Sequence, residues 1–216
     1  MSKHIDLRVL NLYTIRSIKN SLSSFFENND RKQTISNMIH TIDKFFTGDG
    51  RGLASGILIE ELLHDYFQYF EDYQKYNHSE ADCKILNTPL SIKKIKQKST
   101  IALNWSKNKT INNDYDFNVN MMILVLNTTV WWKRAPKSKG GISELNYTQE
   151  IESGFYIINK YYCKDNVTLK SNNKTNKLIT SKDLYSLLLH SKRSNLFINL
   201  PPPSTVLKYS IIKGLN

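Results

Sequence analysis

The sequence predicts an α/β domain in which a mixed central β-sheet is flanked by helices, with a helical extension at its N-terminus. Three observations predict it. Apolar residues recur at helical spacing through the N-terminal third and again near the C-terminus. Between those segments, short runs rich in Ile, Val, Tyr and Phe follow one another, broken by Asn, Gly and Pro. The resulting order, helices, a hairpin, further strands and a late helix, is that of a sheet with helices on its faces.

Taken in order, Leu7 to Phe26 carries Leu7, Leu10, Ile15, Ile18, Leu22 and Phe25 near helical spacing, leaving Arg8, Arg16 and Lys19 for the other faces. Glu27-Asn28-Asn29-Asp30 breaks it. A second helix is expected over Thr34 to Phe46, with Ile35, Met38, Ile39, Ile42, Phe45 and Phe46 as its stripe. Residues 1–47 then form a helical region, a cap or a dimerisation surface, and residues 48–216 the α/β core, the whole being one compact domain. Gly48-Asp49-Gly50-Arg51-Gly52 reads as a loop and lacks the Gly-Lys-Ser/Thr of a phosphate-binding P-loop. A strong helix is expected from Ser55, a good N-cap, to Tyr73, burying Ile59, Leu62, Leu63, Tyr66, Phe67 and Phe70. Glu60 borders that face and Glu61 points further round.

Ser79 to Lys107 is the stretch around which the rest is arranged. Three β-type runs follow one another here: Ala81 to Leu86, Leu90 to Ile95 and Thr100 to Trp105, the first two joined by a tight Asn87-Thr88-Pro89 turn. Asn108 to Asp116 is a polar loop. Val119 to Trp132 reads as a strand, a turn at Asn127-Thr128 and a second strand, and Lys133 to Gly141 as a basic loop. Gly154 to Tyr162 and Val167 to Leu169 read as strands, and Ser171 to Asn176 as a polar run between β segments. Asp183 to His190 is an amphipathic helix, and Phe197 to Leu200 a strand stopped by Pro201-Pro202-Pro203, with the tail as an edge element.

Composition narrows the partners. Lys and Arg number 30 against 19 Asp and Glu, a net charge of +11, which favours a polyanion, most often nucleic acid. A coding bias toward Lys and Asn would raise the same count. With 40% hydrophobic residues the chain can fold, and its two cysteines, Cys83 and Cys163, are too few for a disulfide scaffold or a zinc site. No apolar run is long enough to span a membrane, and Met1 to Leu10 does not resemble a signal peptide, so a cytoplasmic location is expected.

The hairpin carries the chemistry. Asp82 is the one acid of its first strand, and Lys93 lies on its second. Metal-assisted phosphodiester hydrolysis needs a carboxylate to hold Mg²⁺ and a group near the attacking water and the phosphate. Two such residues on strands joined by a short turn can project to the same sheet edge. A second acid two residues before the lysine would fall on Ser91, which can still supply an oxygen, while Glu60 could bring the missing negative charge. A rival reading pairs Asp82 with Lys84 and takes Glu80 as the upstream acid; a third uses Asn104 or Lys107 as the late member.

The succession of a Gly56-x-x-x-Glu60 helix, Asp82, a short hairpin and Ser91-Ile92-Lys93 resembles the PD-(D/E)XK nucleases, specifically the type II restriction endonucleases, over about Ser55 to Trp105. Two places depart from that pattern: Glu80-Ala81 stands where Pro usually precedes the Asp, and Ser91 replaces the acid. The resemblance implies a restriction-endonuclease-like fold and a Mg²⁺-dependent, homodimeric enzyme that cuts a short specific site in double-stranded DNA. By it, Asp82, Lys93 and Glu60 are the catalytic set; Asp82, Glu60 and Ile92 bind the metal; and Lys93 orients or activates the water. Ser91, Lys133, Arg134, Lys137 and Lys139, together with Asn172, Asn173, Lys174, Thr175 and Asn176, are expected to touch DNA. The net charge alone would equally suit a non-catalytic nucleic-acid-binding protein.

Overall fold

The computed structural model describes residues 6–45, 52–78, 80–95, 101–104, 117–126, 128–134, 145–171 and 176–204. Three helices come first: α1 (Leu7–Phe25), α2 (Asn29–Phe45) and α3 (Gly52–Phe67). Asp6 caps α1 by accepting the Arg8 N–H at 2.8 Å. The strands β1 (Tyr73–His78), β2 (Ala81–Ile85), β3 (Thr88–Ile95) and β4 (Ile101–Asn104) follow, and then β5 (Asn120–Val125), β6 (Thr129–Arg134), β7 (Leu145–Ile151) and β8 (Gly154–Ile158). A short helix α4 (Lys160–Asn166), β9 (Lys170–Ser171), β10 (Asn176–Ile179), α5 (Ser181–Arg193) and β11 (Phe197–Asn199) complete the order.

Six strands form a mixed sheet in the order β1-β2-β3-β5-β8-β11, in which β3 and β5 run parallel and the other neighbours antiparallel. Strand alternation divides its side chains between two cores. Cys83, Ile85, Leu90, Ile92, Met122, Leu124, Phe155 and Ile157 join Ile15, Ile18 and Leu22 of α1, Ile35 and Ile39 of α2, and Ile59, Leu63 and Phe67 of α3. On the opposite face Ile95, Met121, Ile123, Val125, Tyr156 and Ile158 meet Ile101 and Leu103 of β4, Ile179 of β10, Cys163 of α4, and Leu184, Leu187 and Leu188 of α5. Helices thus cover both faces. Among the described residues no helix is long and apolar enough to cross a membrane.

Several elements differ from the sequence expectation. The third helix ends at Phe67, not Tyr73. The Phe70 N–H bonds to Phe67 O and the Tyr73 N–H to Phe70 O, each at 2.9 Å, so two successive turns gather the Phe67, Phe70 and Tyr73 rings before β1 begins. The run Gly154 to Tyr162 is not one strand: Asn159 accepts the Tyr161 N–H at 2.9 Å and starts α4. Val167 to Leu169 is not a strand, and β4 belongs to a separate sheet, β4-β10-β9, instead of extending the hairpin. Lys133 and Arg134 lie within β6, paired to β7, and not in a loop. Phe46, the loop at Gly48 to Arg51, the loop at Asn108 to Asp116, Asn127, residues 135–141, Asn172 to Thr175 and the tail beyond Ser204 lie outside the described residues.

Candidate active site

The site begins with a turn. β2 and β3 are joined by Leu86 and Asn87 alone, with φ of 50° and 59°, so Ile85 stands opposite Thr88 and Cys83 opposite Leu90. Two successive residues in the left-handed region make the tight hairpin turn that matches strand twist. The Leu86 N–H is held by Asp72 O at 2.9 Å, and the Asp72 carboxylate in turn accepts the Ser21 hydroxyl of α1. Pro89 fits in β3 because its missing donor would face away from β2, ahead of the β5 pairing that starts at Leu90.

This two-residue turn corrects the three-residue Asn87-Thr88-Pro89 turn expected from sequence, and the correction decides the chemistry. With Leu86 opposite Leu90, Asp82 would share a face with Leu90 and Ile92, and Lys93 would share one with Cys83. A slip of this kind moves side chains to the other face. In the observed register Asp82, Ser91 and Lys93 share one face, opposite the face that α1, α2 and α3 cover.

Asp82 sits where the β2–β3 ladder stops. Its Oδ2 accepts the Ile92 N–H at 2.5 Å and the Ser91 hydroxyl at 3.1 Å, and the Lys93 Nζ lies 3.7 Å away. The Ile92 amide is next in line to bond the β2 backbone, and the carboxylate replaces that ladder bond. Lys93 and Asp82 keep 28% and 22% of their side chains exposed, so the pair is accessible, whereas Ser91 and Ile92 are buried. The sequence singled out Asp82 and Lys93, which the structure brings within 3.7 Å, but gave no sign of the Ile92 amide, because the partner of a backbone N–H depends on register.

The remaining expected residues fall elsewhere. Glu60 stands on α3, whose Ile59, Leu63 and Phe67 belong to the opposite face, and its contact is His64, 3.7 Å from Nε2. Glu61 pairs with Lys75 at 2.7 Å. Lys84, the rival lysine, lies with Nζ 3.9 Å over the Tyr76 ring. Glu80 receives the Asn118 amide at 3.2 Å, and Lys160 Nζ donates to Asn118 O at 3.1 Å, a cluster no sequence pattern announced. Asn104 belongs to β4 and pairs with Asn176 of β10. Lys107, Lys137, Lys139 and residues 172–175 lie outside the described residues. Among the described residues no group of three His, Cys, Asp or Glu side chains could hold a metal.

Whether Mg²⁺ suits the site depends on its oxygens. Antiparallel alternation turns the Ile92 carbonyl toward the gap where β2 and β3 part, beside the Asp82 carboxylate, whose Oδ1 bonds to no described residue. These are hard donors, and a Mg²⁺ held by one or two carboxylates keeps waters and takes its other ligands from a phosphate. The set fits at the lower limit of protein ligands. Nearby nucleophiles do not compete: burial first, and the Asp82 and Glu60 charges second, push the Cys83 thiol up to about 12. Burial, followed by the Cys83, Glu60 and Asp82 charges, likewise raises Tyr73.

No protein-family model and no curated protein sequence matches the chain. A solved structure described as a restriction endonuclease in complex with substrate DNA is similar to it, with a TM-score of 0.52 and 13% identity over 90% of this chain and 99% of that one. The likeness is one of fold. The six-stranded mixed sheet flanked by helices is restriction-endonuclease-like, as the sequence led one to expect.

Proposed function

We propose that this protein is a Mg²⁺-dependent endonuclease that hydrolyses phosphodiester bonds at a specific sequence in double-stranded DNA, working as a homodimer. One observation carries the reading: an acid and an amine, Asp82 and Lys93, stand 3.7 Å apart and accessible on one face of a restriction-endonuclease-like sheet. Asp82 and the Ile92 carbonyl would hold Mg²⁺, which when bound polarises the phosphate and acidifies its water. The Ser91 hydroxyl and the Ile92 N–H fix the Asp82 carboxylate, so its orientation is set before substrate arrives. Lys93 presents its ammonium to the phosphate oxygens, where negative charge grows during attack. Glu60 is left out of this ligand set because its helix lies on the other face.

The net charge of +11 supplies the long-range attraction to DNA. Lys133 and Arg134 in β6, with Lys137, Lys139 and Asn172 to Asn176, are proposed DNA contacts on the strength of their composition. Plasmid incubated with the protein and Mg²⁺ should give discrete fragments, and EDTA should abolish them. A second reading, a DNA-binding protein without catalysis, draws on the saturation of Asp82 Oδ2 by protein donors. A mobility shift with no cleavage under any divalent ion would select it.

A further inference from the structure

The open half of the site's face has a basic wall. Ser91 stands opposite Met121 of β5, and Met121 opposite Ile158 of β8, so the row that carries the candidate site runs on to the last residue of β8. α4 begins two residues later with Lys160 and packs Cys163 into the core on that same face. Lys160 Nζ donates to Asn118 O, and Asn118 Nδ2 donates to Glu80, which precedes Asp82 by two residues. One bridging residue thus joins the lysine to the border of the Asp82 site.

Lys160 is held at both ends. Its N–H donates to Asn120 Oδ1 at 2.9 Å, and Asn120, 3% exposed, exchanges side-chain bonds with Asn11 at 3.1 and 3.0 Å. Asn11 also donates to Asn159 Oδ1 at 2.9 Å, so three asparagines fix the start of α4. Among the described residues the Lys160 ammonium meets the Asn118 carbonyl and lies 5.3 Å from the Tyr161 ring, and neither group bears a charge. Lys164, one turn further and exposed, has its Nζ 5.8 Å from the same ring. Arg8 also approaches that ring, but both of its terminal nitrogens bond Asp165, so it anchors α4 to α1. Two like charges four residues apart on a helix repel, and an anion between them relieves the repulsion. With strands ~4.8 Å apart and the phosphates of one DNA strand every ~3.4 Å along the duplex axis, β8 stands about three phosphates from β3.

We propose that Lys160 and Lys164, kept side by side by Tyr161, bind the phosphate backbone of duplex DNA about three nucleotides from the bond presented to Asp82 and Lys93. The inference rests on the proposed DNA substrate and not on the hydrolytic chemistry, so it is read by binding alone.

Fluorescence anisotropy of a labelled duplex, titrated with the full-length protein in EDTA over a range of salt concentrations, tests it. Lys160→Gln with Lys164→Gln should weaken binding roughly ten-fold at low salt and reduce the slope of log affinity against log salt by about 2, one per phosphate contact. Lys160→Arg with Lys164→Arg should keep the slope. Arg16→Gln with Lys19→Gln removes the same charge from α1, on the other face, and should leave the slope nearly unchanged. Lys164→Gln alone, at an exposed position where folding is not at risk, should reduce the slope by about 1. Equal losses in the α4 and α1 pairs, or an unchanged slope in Lys164→Gln, overturn the proposal while the DNA-binding reading stands. A wild type that binds no duplex DNA overturns both.

Discussion

On one face of the six-stranded sheet, Cys83, Ile85, Leu90, Ile92, Met122, Leu124, Phe155 and Ile157 are at most 6% exposed and lie under three helices. On the other face β2 and β3 present Asp82, Lys84, Ser91 and Lys93, while β5 and β8 present Met121, Ile123, Val125, Tyr156 and Ile158 to a second core. The central strands β5 and β8 are apolar on both sides, as doubly covered strands must be. β2 and β3 are apolar on one side only. The difference leaves charged and polar groups on the half of one face that the second core does not reach, held in register by strands whose other side is buried. β3 shows the passage in a single strand: Ser91 and Lys93 at the site, then Ile95 in the second core.

The largest expected effect comes from the buried side. Phe67 is fully buried and its ring meets those of Phe25, Phe26, Phe70, Tyr73 and Phe155. Phe67→Ala should cost about 3–5 kcal/mol in urea unfolding. A loss below about 1 kcal/mol would mean that this face does not carry the fold. Next in size is the turn that sets the register. Leu86 at φ 50° bears the cost of a left-handed conformation with a bulky side chain, and it is 38% exposed. Leu86→Asn should therefore stabilise the protein by roughly 1 kcal/mol and leave DNA cleavage intact.

The smallest expected effect lies beside the second core. His190, in the last turn of α5, stacks at 3.5 Å on Tyr162, and burial lowers its pKa. Because the folded form resists the proton more than the unfolded chain does, stability is full above the ordinary value of 6.5 and falls as the pH drops through the lowered one. Between pH 7.5 and 5.5 the wild type should lose roughly a few tenths of a kcal/mol more than His190→Phe, after allowance for solvent screening. Equal losses would show that His190 does not titrate against folding.

Much of this architecture was legible because its signals are local. The stripes of α1, α2 and α5 and the alternation of β2 and β3 declare themselves in the sequence, and Asp82 and Lys93 follow from that hairpin. The parts that escaped depend on distant contacts. Gln68 to Tyr73 continues the aromatic-rich helical pattern, and only the convergence of Phe67, Phe70 and Tyr73 ends the helix and lets β1 form as an edge strand. Asn159 is the cap that divides β8 from α4, but Ile157, Ile158 and Tyr161 around it are good strand formers. The length of the turn at Leu86 and Asn87 could not be foreseen, because Leu is a poor residue for a positive φ. That one-residue difference determines which face Asp82 occupies.

Single-turnover cleavage of a DNA target, with protein in excess and Mg²⁺ present, tests the shared face of Asp82 and Lys93 most directly. Lys93→Ala should bind DNA about as well as the wild type and melt within a few degrees of it, yet cut at least ~10²-fold more slowly, with Asp82→Asn behaving alike and Lys84→Ala near normal. Cleavage by Lys93→Ala at the wild-type rate, or loss of cutting in Lys84→Ala alone, would contradict the account.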